Sequence, residues 1–473
     1  MKKLVFILFF FLNIFFLFAQ QEVLSFKNEE VSRRVKKDSY TISNVNNNEL
    51  AVVIIERKEI YAYLFNSDFS LKSELKTDNI KSKYNNALGY SLSENGMYQV
   101  LYTNENKNKF AILSLDFDNS NGRSKEIDID LEDDVFLDVI NYNNKLYLLS
   151  TKNGLTLNIK VYNNNFGFDL LKSFHLDKIG NDTNLISSKI QMGAFILAGK
   201  EISNITKIDS KVSNSIEQTS SENKLYQNGK SIILTFDVNQ KETLLYTIDL
   251  ENLTLDYKTF TYPKSKTIEF KNYNSFVYQD YIYQIASSKE ALKLEIKDFD
   301  SNVVKTFNIS RDRSISFKNS PIIQEGQTAL PFVTNRKLEL TRKYLRKINA
   351  GYIGVSAIKN KDHYYLTLGG FQVVTQPGMI TPVNTVGSNF TGYNTTYLTY
   401  NSYSTTKSTY FNSILDLNFN HVKGKLQKNI FDQIDNFKTK LKYTSGEDLF
   451  FHNNQLYFGY FDQKGSTYHL TKF

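Results

Sequence analysis

The sequence predicts an all-β chain folded as a β-propeller. Three observations carry the prediction: paired turn signals recurring about every 45 residues, continuous apolar runs between them, and a last unit one strand short. The first signal is a polar tight turn ahead of an apolar strand, at Asn48, Gly96, Asn144, Gly193, Gly229, Asp280, Asp362 and Asn454. The second is an aromatic or aliphatic residue followed by Asp, Asn, Glu or Ser, at Phe65, Phe117, Tyr162, Ile208, Leu250, Phe299 and Phe419, with Phe473 as the bare chain end. Seven of the eight intervals run from 15 to 21 residues and one, from Asp362 to Phe419, runs to 57. Eight four-stranded blades follow, with seven as the alternative because the fourth unit, Leu185 to Gln218, is short and poorly patterned.

The strands between the signals are legible from composition. Ala51 to Ile55, Ile232 to Phe236 and Leu456 to Phe461 are apolar throughout, as expected of strands covered on both faces. The clearest internal match sets Asn143-Asn144-Lys145-Leu146-Tyr147 against Asn453-Asn454-Gln455-Leu456-Tyr457, each a strand, a two-residue turn and a strand. The terminal unit ends at Phe473 with no residues left for a fourth strand. Glu22 to Phe26 could supply it and cover the open sheet edge.

Lys2 and Lys3, the apolar run Leu4 to Ala19 and the small residue before Gln20 have the order of a secretory signal peptide. The run is shorter than the roughly 20 apolar residues that span a bilayer. Residues 1–20 are therefore expected to leave, and 21–473 to form a single propeller domain in the periplasm, at the outer membrane or on the cell surface. The chain has no Cys, so it carries neither disulfides nor a cysteine-linked lipid. Its formal net charge of +8 falls to +6 without Lys2 and Lys3, a mixed-sign surface that gives little support to nucleic-acid binding. An outer-membrane β-barrel is the competing all-β reading. Its strands alternate apolar and polar over about ten residues, whereas Ile54-Ile55-Glu56-Arg57-Lys58 runs apolar into charge.

The stretch Ser93-Glu94-Asn95-Gly96-Met97-Tyr98-Gln99-Val100-Leu101-Tyr102 resembles the Ser-Pro-Asp-Gly turn and following strand of TolB-type propellers, with Glu for Pro and Asn for Asp. Proteins of that family are periplasmic and dock envelope partners, so the resemblance implies such a compartment and such a role. It covers one blade.

Motifs for catalysis are missing from the sequence. His175, His363, His421, His452 and His469 lack zinc-site spacing, and Gly354-Val355-Ser356 lacks the second Gly of a nucleophile elbow. No Gly-rich phosphate loop or Trp-bearing Asp-box of sialidase propellers is recognisable. Asp128, Asp130, Glu132, Asp133 and Asp134 offer oxygen ligands to a calcium ion, but a solvated loop between blades explains them as well. No cofactor is expected otherwise. Arg33, Arg34, Lys36 and Lys37 read as a solvated basic linker.

Two insertions interrupt the repeat, at about 311–349 and 373–406. In a blade whose strands run up, down, up and down, the loop from second to third strand and the loop to the next blade share one end. Both insertions are therefore expected on one face. The first holds Arg336, Lys337, Arg342, Lys343, Arg346 and Lys347 with Leu338, Leu345 and Ile348 at helical spacing, a short basic amphipathic helix. The second has no Asp, Glu, Lys or Arg and presents Phe390, Tyr393, Tyr397, Tyr400 and Tyr403 among small polar residues, a composition suited to contact surfaces. The expected function is non-enzymatic binding of another cell-envelope protein through Phe390, Tyr393, Tyr397, Tyr400, Tyr403, Arg342, Lys343, Arg346 and Lys347, as a subunit or plug of an outer-membrane transport complex. A glycan-binding or glycan-cleaving propeller is the alternative.

Overall fold

The computed structural model describes residues 20–473 apart from 33–34, 58, 79, 130, 132–133, 153–155, 177–204, 238, 327–334, 374–405 and 427–429. Residues 1–19 lie outside it, and with them the expected leader.

Thirty strands form seven sheets among the described residues. Blade 1 is β2 (Asp38–Ser43), β3 (Leu50–Ile55), β4 (Glu59–Phe65) and β5 (Leu71–Asp78). Blade 2 is β6 (Asn86–Leu92), β7 (Tyr98–Thr103), β8 (Phe110–Asp116) and β9 (Asn121–Ile127). Blade 3 is β10 (Asp134–Tyr142), β11 (Lys145–Lys152), β12 (Thr156–Tyr162) and β13 (Phe168–His175). Blade 4 is β15 (Asn223–Asn228), β16 (Ser231–Phe236), β17 (Glu242–Asp249) and β18 (Thr254–Thr261), with β14 (Thr206–Ile208) added on its inner edge. Blade 5 is β19 (Asn272–Tyr278), β20 (Tyr281–Ser287), β21 (Ala291–Asp298) and β22 (Val303–Ser310). Blade 6 is β25 (Tyr352–Asn360), β26 (His363–Val373), β27 (Thr406–Leu415), β23 (Ile322–Gly326) and β24 (Asn335–Leu338), in that order from the axis outward. Blade 7 is β28 (Thr444–His452), β29 (Gln455–Asp462), β30 (Thr467–Lys472) and β1 (Gln21–Lys27).

The expected closure is present: β1 pairs antiparallel with β30, from Gln21 opposite Lys472 to Lys27 opposite Thr467. Neighbouring blades are sewn together around the ring. Tyr90 Oη donates to Ser43 O at 3.0 Å, Gln227 Nε2 to Asn141 O at 2.6 Å, Lys359 N to Tyr278 Oη at 3.0 Å, and Ser39 Oγ to Gly446 O at 2.7 Å. Separate sheets around an axis are not the continuous wall of a barrel, so the outer-membrane β-barrel reading is withdrawn.

Local chemistry explains the turn signals. Seven of the eight first signals sit in the hairpin between the first and second strands, where the backbone must adopt positive φ: Asn48 at 60°, Gly96 at 75°, Asn144 at 58°, Gly229 at 57° and Asn454 at 59°, with Gln279 and Lys361 at 53° beside Asp280 and Asp362. Asn and Gly adopt that conformation most readily. At the other signal a carboxylate pins the turn that follows the third strand of the blade. Asp249 accepts from Glu251 N and Asn252 N, Asp298 from Asp300 N and Asn302 N, and Asp416 from Asn418 N and Asn420 N. These bonds hold all three carboxyls below the usual range, the Asn302 side chain contributing most at Asp298.

The fourth unit is different. Gly193 lies outside the described residues, and Ile208 ends β14 rather than the third strand of a blade. β14 runs parallel to the innermost strand of blade 4, so residues 205–222 occupy the propeller axis. There Lys207 Nζ donates to Val139 O of blade 3 at 2.6 Å, and Asn274 Nδ2 of blade 5 donates to Ser220 O at 3.1 Å. Val212 packs with Leu449 of blade 7. The short helix α1 (Ile216–Thr219), closed by a Ser215–Gln218 capping box, lies on Gly354 of blade 6, where a Cβ would come within 2.9 Å of Ser220 N. Part of the expected blade is therefore an axial plug. The described sheets number seven, the alternative count.

The first insertion is a correction as well. It does not simply project, because β23 takes the outer position of blade 6 that the chain after β27 would ordinarily fill, with β24 beyond it. Helix α2 (Thr341–Ile348) follows, and the chain after β27 passes to α3 (Ile430–Lys438), which packs against Leu456, Phe458 and Tyr460 of blade 7.

Candidate partner-binding face

Strand register decides where the two expected insertions attach. Val373 pairs with Thr406 at the last step of β26 and β27, Lys407 pairs with Gly326 at the end of β23, and Glu325 pairs with Asn335 at the start of β24. Segments 327–334 and 374–405 therefore both leave the same end of one sheet, as expected. Leu176, after the outer strand of blade 3, and Ile205, before β14, place the ends of 177–204 at that face too. Phe390, Tyr393, Tyr397, Tyr400 and Tyr403 lie outside the described residues.

The expected basic helix is α2. Its apolar residues Tyr344, Leu345 and Ile348 are fully buried, and the Tyr344 hydroxyl donates to Leu368 O at 3.2 Å. Gly370 makes the seat, since a Cβ there would stand 2.5 Å from Tyr352 O and 3.2 Å from Ile348 Cβ. Asn272 Nδ2 of blade 5 ties the end of the helix to the ring through Asn349 O at 3.3 Å, and Gln372 Nε2 donates to Lys347 O at 3.0 Å. Arg336, Lys337, Arg342, Lys343 and Arg346 are exposed, while Lys347 and Lys407 are half-buried. Burial lowers the Lys347 ammonium below the usual lysine range, and the like charges of Lys407, Arg346 and Arg336 lower it further.

Next to the helix, at the inner end of the same row, Tyr352 stacks on Phe371 with ring centroids 5.3 Å apart and Tyr352 is 47% exposed. On the same face of the sheet, further from the axis, the Tyr410 hydroxyl donates to Glu325 Oε1 at 2.8 Å. Burial raises the carboxyl of Glu217 on α1, and the charge of Glu325 adds to the effect. Sequence reading missed this pair of carboxylates and the Tyr352–Phe371 stack, because strand register and the plug bring them together.

Other candidate groups are dispersed. His452 is buried, with Ser43 Oγ at 2.7 Å from Nδ1, and its imidazole is held below the usual range by burial. His469 pairs with Glu22 across the closure at 2.9 Å, and His421 contacts Asn319. Among the described residues no group of three His, Asp or Glu is arranged to hold a metal ion. Asp134 Oδ2 accepts from Ser150 Oγ at 2.6 Å and Asn158 Nδ2 at 2.8 Å inside blade 3, Asp128 is exposed, and Asp130 and Asp133 lie outside the described residues. Gly354-Val355-Ser356 is a buried stretch of β25 that carries the plug. Arg33 and Arg34 are not described; Lys37 is buried, 3.4 Å from Glu56, rather than solvated.

The turn that resembles TolB-type propellers is the first hairpin of blade 2, closed by Ser93 N donating to Met97 O and Gly96 N to Ser93 O at 3.0 Å. No family model matches the chain. No curated protein matches it either. Among solved structures it is similar to the Dos1 propeller, at 11% identity over 96% of this chain and 95% of that one, with a TM-score of 0.30. The WD40 domain of SCAP from fission yeast aligns at 6% identity over 96% and 97%, TM-score 0.32. The SapL1 lectin bound to alpha methyl fucoside aligns at 10% over 72% and 90%, TM-score 0.22. The sheets described above establish the propeller; overlaps this loose carry no functional argument.

Proposed function

We propose that this protein is an exported, non-enzymatic propeller that binds another cell-envelope protein through the face carrying α2 and the ends of 327–334 and 374–405, as a soluble subunit or plug of an outer-membrane transport complex. The observation that carries the reading is the convergence on one end of blade 6: two uncharged segments and a cation-rich helix leave a single sheet. The axis, the usual alternative for a propeller ligand, is filled by residues 205–222. Recognition is thereby left to the rim.

The test is deletion of 374–405 with a short turn joining Val373 to Thr406, which are already paired. Circular dichroism and melting temperature are expected to change little. Affinity purification from the native envelope is expected to lose the partner, and unchanged recovery overturns the proposal. The Tyr352–Phe371 stack favours a second reading, a sugar held on an aromatic platform beside the same loop. Retention on a glycan column that disappears in Tyr352→Ala would select it.

A further inference from the structure

The cations at this face are not neutralised by the chain itself. Arg336, Lys337, Arg342, Lys343, Arg346, Lys347 and Lys407 form no ion pair among the described residues, whereas lysines elsewhere are widely paired, as Lys72 with Glu49, Lys83 with Glu126 and Lys230 with both Asp249 and Glu251. The seven cations stand against one exposed carboxylate, Glu339, an excess of six beside a whole-chain formal net charge of +8. The adjoining segments 327–334 and 374–405 contain no Asp or Glu, so they bring no countercharge. Glu325 is engaged by Tyr410 on the sheet face away from α2, the face that Lys337 of the edge strand β24 shares.

Fold stability does not explain this arrangement. Arg342 and Lys343 lie in the first turn of α2, which has no acidic residue and no side-chain cap, so they oppose the helix dipole. The like charges around Lys347 raise the cost. A bilayer surface is a poor fit, because the apolar residues within the helix, Tyr344, Leu345 and Ile348, are consumed inside the ring, and the exposed Leu340 at its N-cap and Tyr352 beyond its end do not make an apolar helix face to insert. Arg342 and Arg346 stand one turn apart on the exposed side with Lys343 beside them, a spacing that guanidinium forks can offer to successive carboxylates.

We infer that α2, β24 and Lys407 form a docking surface for an acidic, Asp- and Glu-rich segment of the partner protein. The inference rests on the partner-binding reading above and gives it a chemistry. Encounter is steered by the local excess of positive charge, and the Arg forks fix the register.

The experiment uses the whole mature chain and fluorescently labelled poly-L-glutamate, read by anisotropy. Binding is expected, weakening by about tenfold or more between low salt and about 0.5 M salt as the charges are screened. The variant R342E/K343E/R346E is expected to weaken it by about tenfold or more. K145E/K361E, in the first hairpins of blades 3 and 6 at the opposite end of the ring, is expected to leave it unchanged. A neutral variant, R342Q/K343Q/R346Q, guards against misfolding: it should melt at or slightly above the parent temperature, since two cations leave the helix N-terminus, and still lose binding. Poly-glutamate binding that survives both variants overturns the inference, as does no binding at all. Equal binding to phosphatidylglycerol vesicles, lost in the same variants, assigns the surface to a membrane and overturns it too. If the reversed variant still recovers the envelope partner while the 374–405 deletion does not, the partner-binding reading stands and this inference fails.

Discussion

Blades 6 and 7 both borrow their outer strand, and they do so to different ends. Blade 7 takes β1 from the far end of the sequence, six paired residues whose Phe26 ring lies 4.3 Å from Tyr63 and 5.4 Å from both Phe65 and Tyr468. That junction is all packing. Blade 6 takes β23 from upstream and splits the outer position: Ile323 to Gly326 pair along one half of β27, while Asn319 and the bridge from Leu415 to His421 finish the other. The borrowed strand frees the chain after β27 to reach α3, and it forces the chain before β25 back through β24 and α2. One closure completes the scaffold; the other builds a surface.

The comparison breaks most visibly at β1. Removing residues 21–27 exposes the edge of β30 and the aromatic cluster around Phe26, a loss of about 5 kcal/mol or more, comparable to the whole stability of many domains. The expected outcome is loss of a cooperative thermal transition by circular dichroism, in contrast to the unchanged melt expected for the 374–405 deletion.

A smaller effect is expected at the seat of α2. Gly370→Val drives a side chain into Ile348 and Tyr352 O, costing about 2–4 kcal/mol or lifting the helix from the sheet. Limited proteolysis at the α2 arginines, faster than in the parent while blade 7 stays protected, would show that the surface is detachable from the ring. Uniform cleavage across the chain would show that blade 6 is as integral as blade 7.

The smallest effect belongs to the closure seam, where Asp38 begins β2 beside Gly446 of blade 7. Burial pushes its carboxyl up to about 6, with Lys36 opposing. The folded state therefore holds a proton that the unfolded chain, titrating near its ordinary value, has released. Stability falls as pH rises from about 4 to about 6 and is level above. Asp38→Asn is expected to stabilise the fold by about 1–2 kcal/mol at pH 7, allowing for partial solvent contact, and to change little at pH 3.5. Denaturant melts at both pH values check the sign. His452 acts in the opposite direction: its depressed imidazole adds stability above its ordinary pKa that is lost as pH falls.

Much of the scaffold was legible because its signals are local. Asn144 and Asn454 mark hairpins through a backbone angle that few residues tolerate, and Asp249, Asp298 and Asp416 pin the opposite hairpins through their own neighbours. Ile208-Asp209 carries the same pattern without the same place in a blade. Its neighbour in space, Tyr226 of β15 opposite Ile208, comes from a strand beyond it in sequence, as does Asn274, which reaches Ser220 of the same axial segment. The basic character of α2 was likewise readable from Arg336 to Lys347. Its seat on Gly370 was not, because a glycine in a strand does not say what approaches it.

By itself the sequence determined the propeller class, seven first hairpins, the ring closure through Glu22 to Phe26 and the end of the sheet from which the insertions leave, while its count of eight blades took the axial segment for one. Alternation of strand direction and positive-φ turns are fixed within a few residues. Only the tertiary structure decided that residues 205–222 fill the axis, that β23 replaces a later strand, and that seven cations gather without partners. Edge pairing and charge crowding depend on which distant segments meet. A strand as short as Ile322–Gly326 has too little pattern of its own to choose β27 until the rest of the ring is in place.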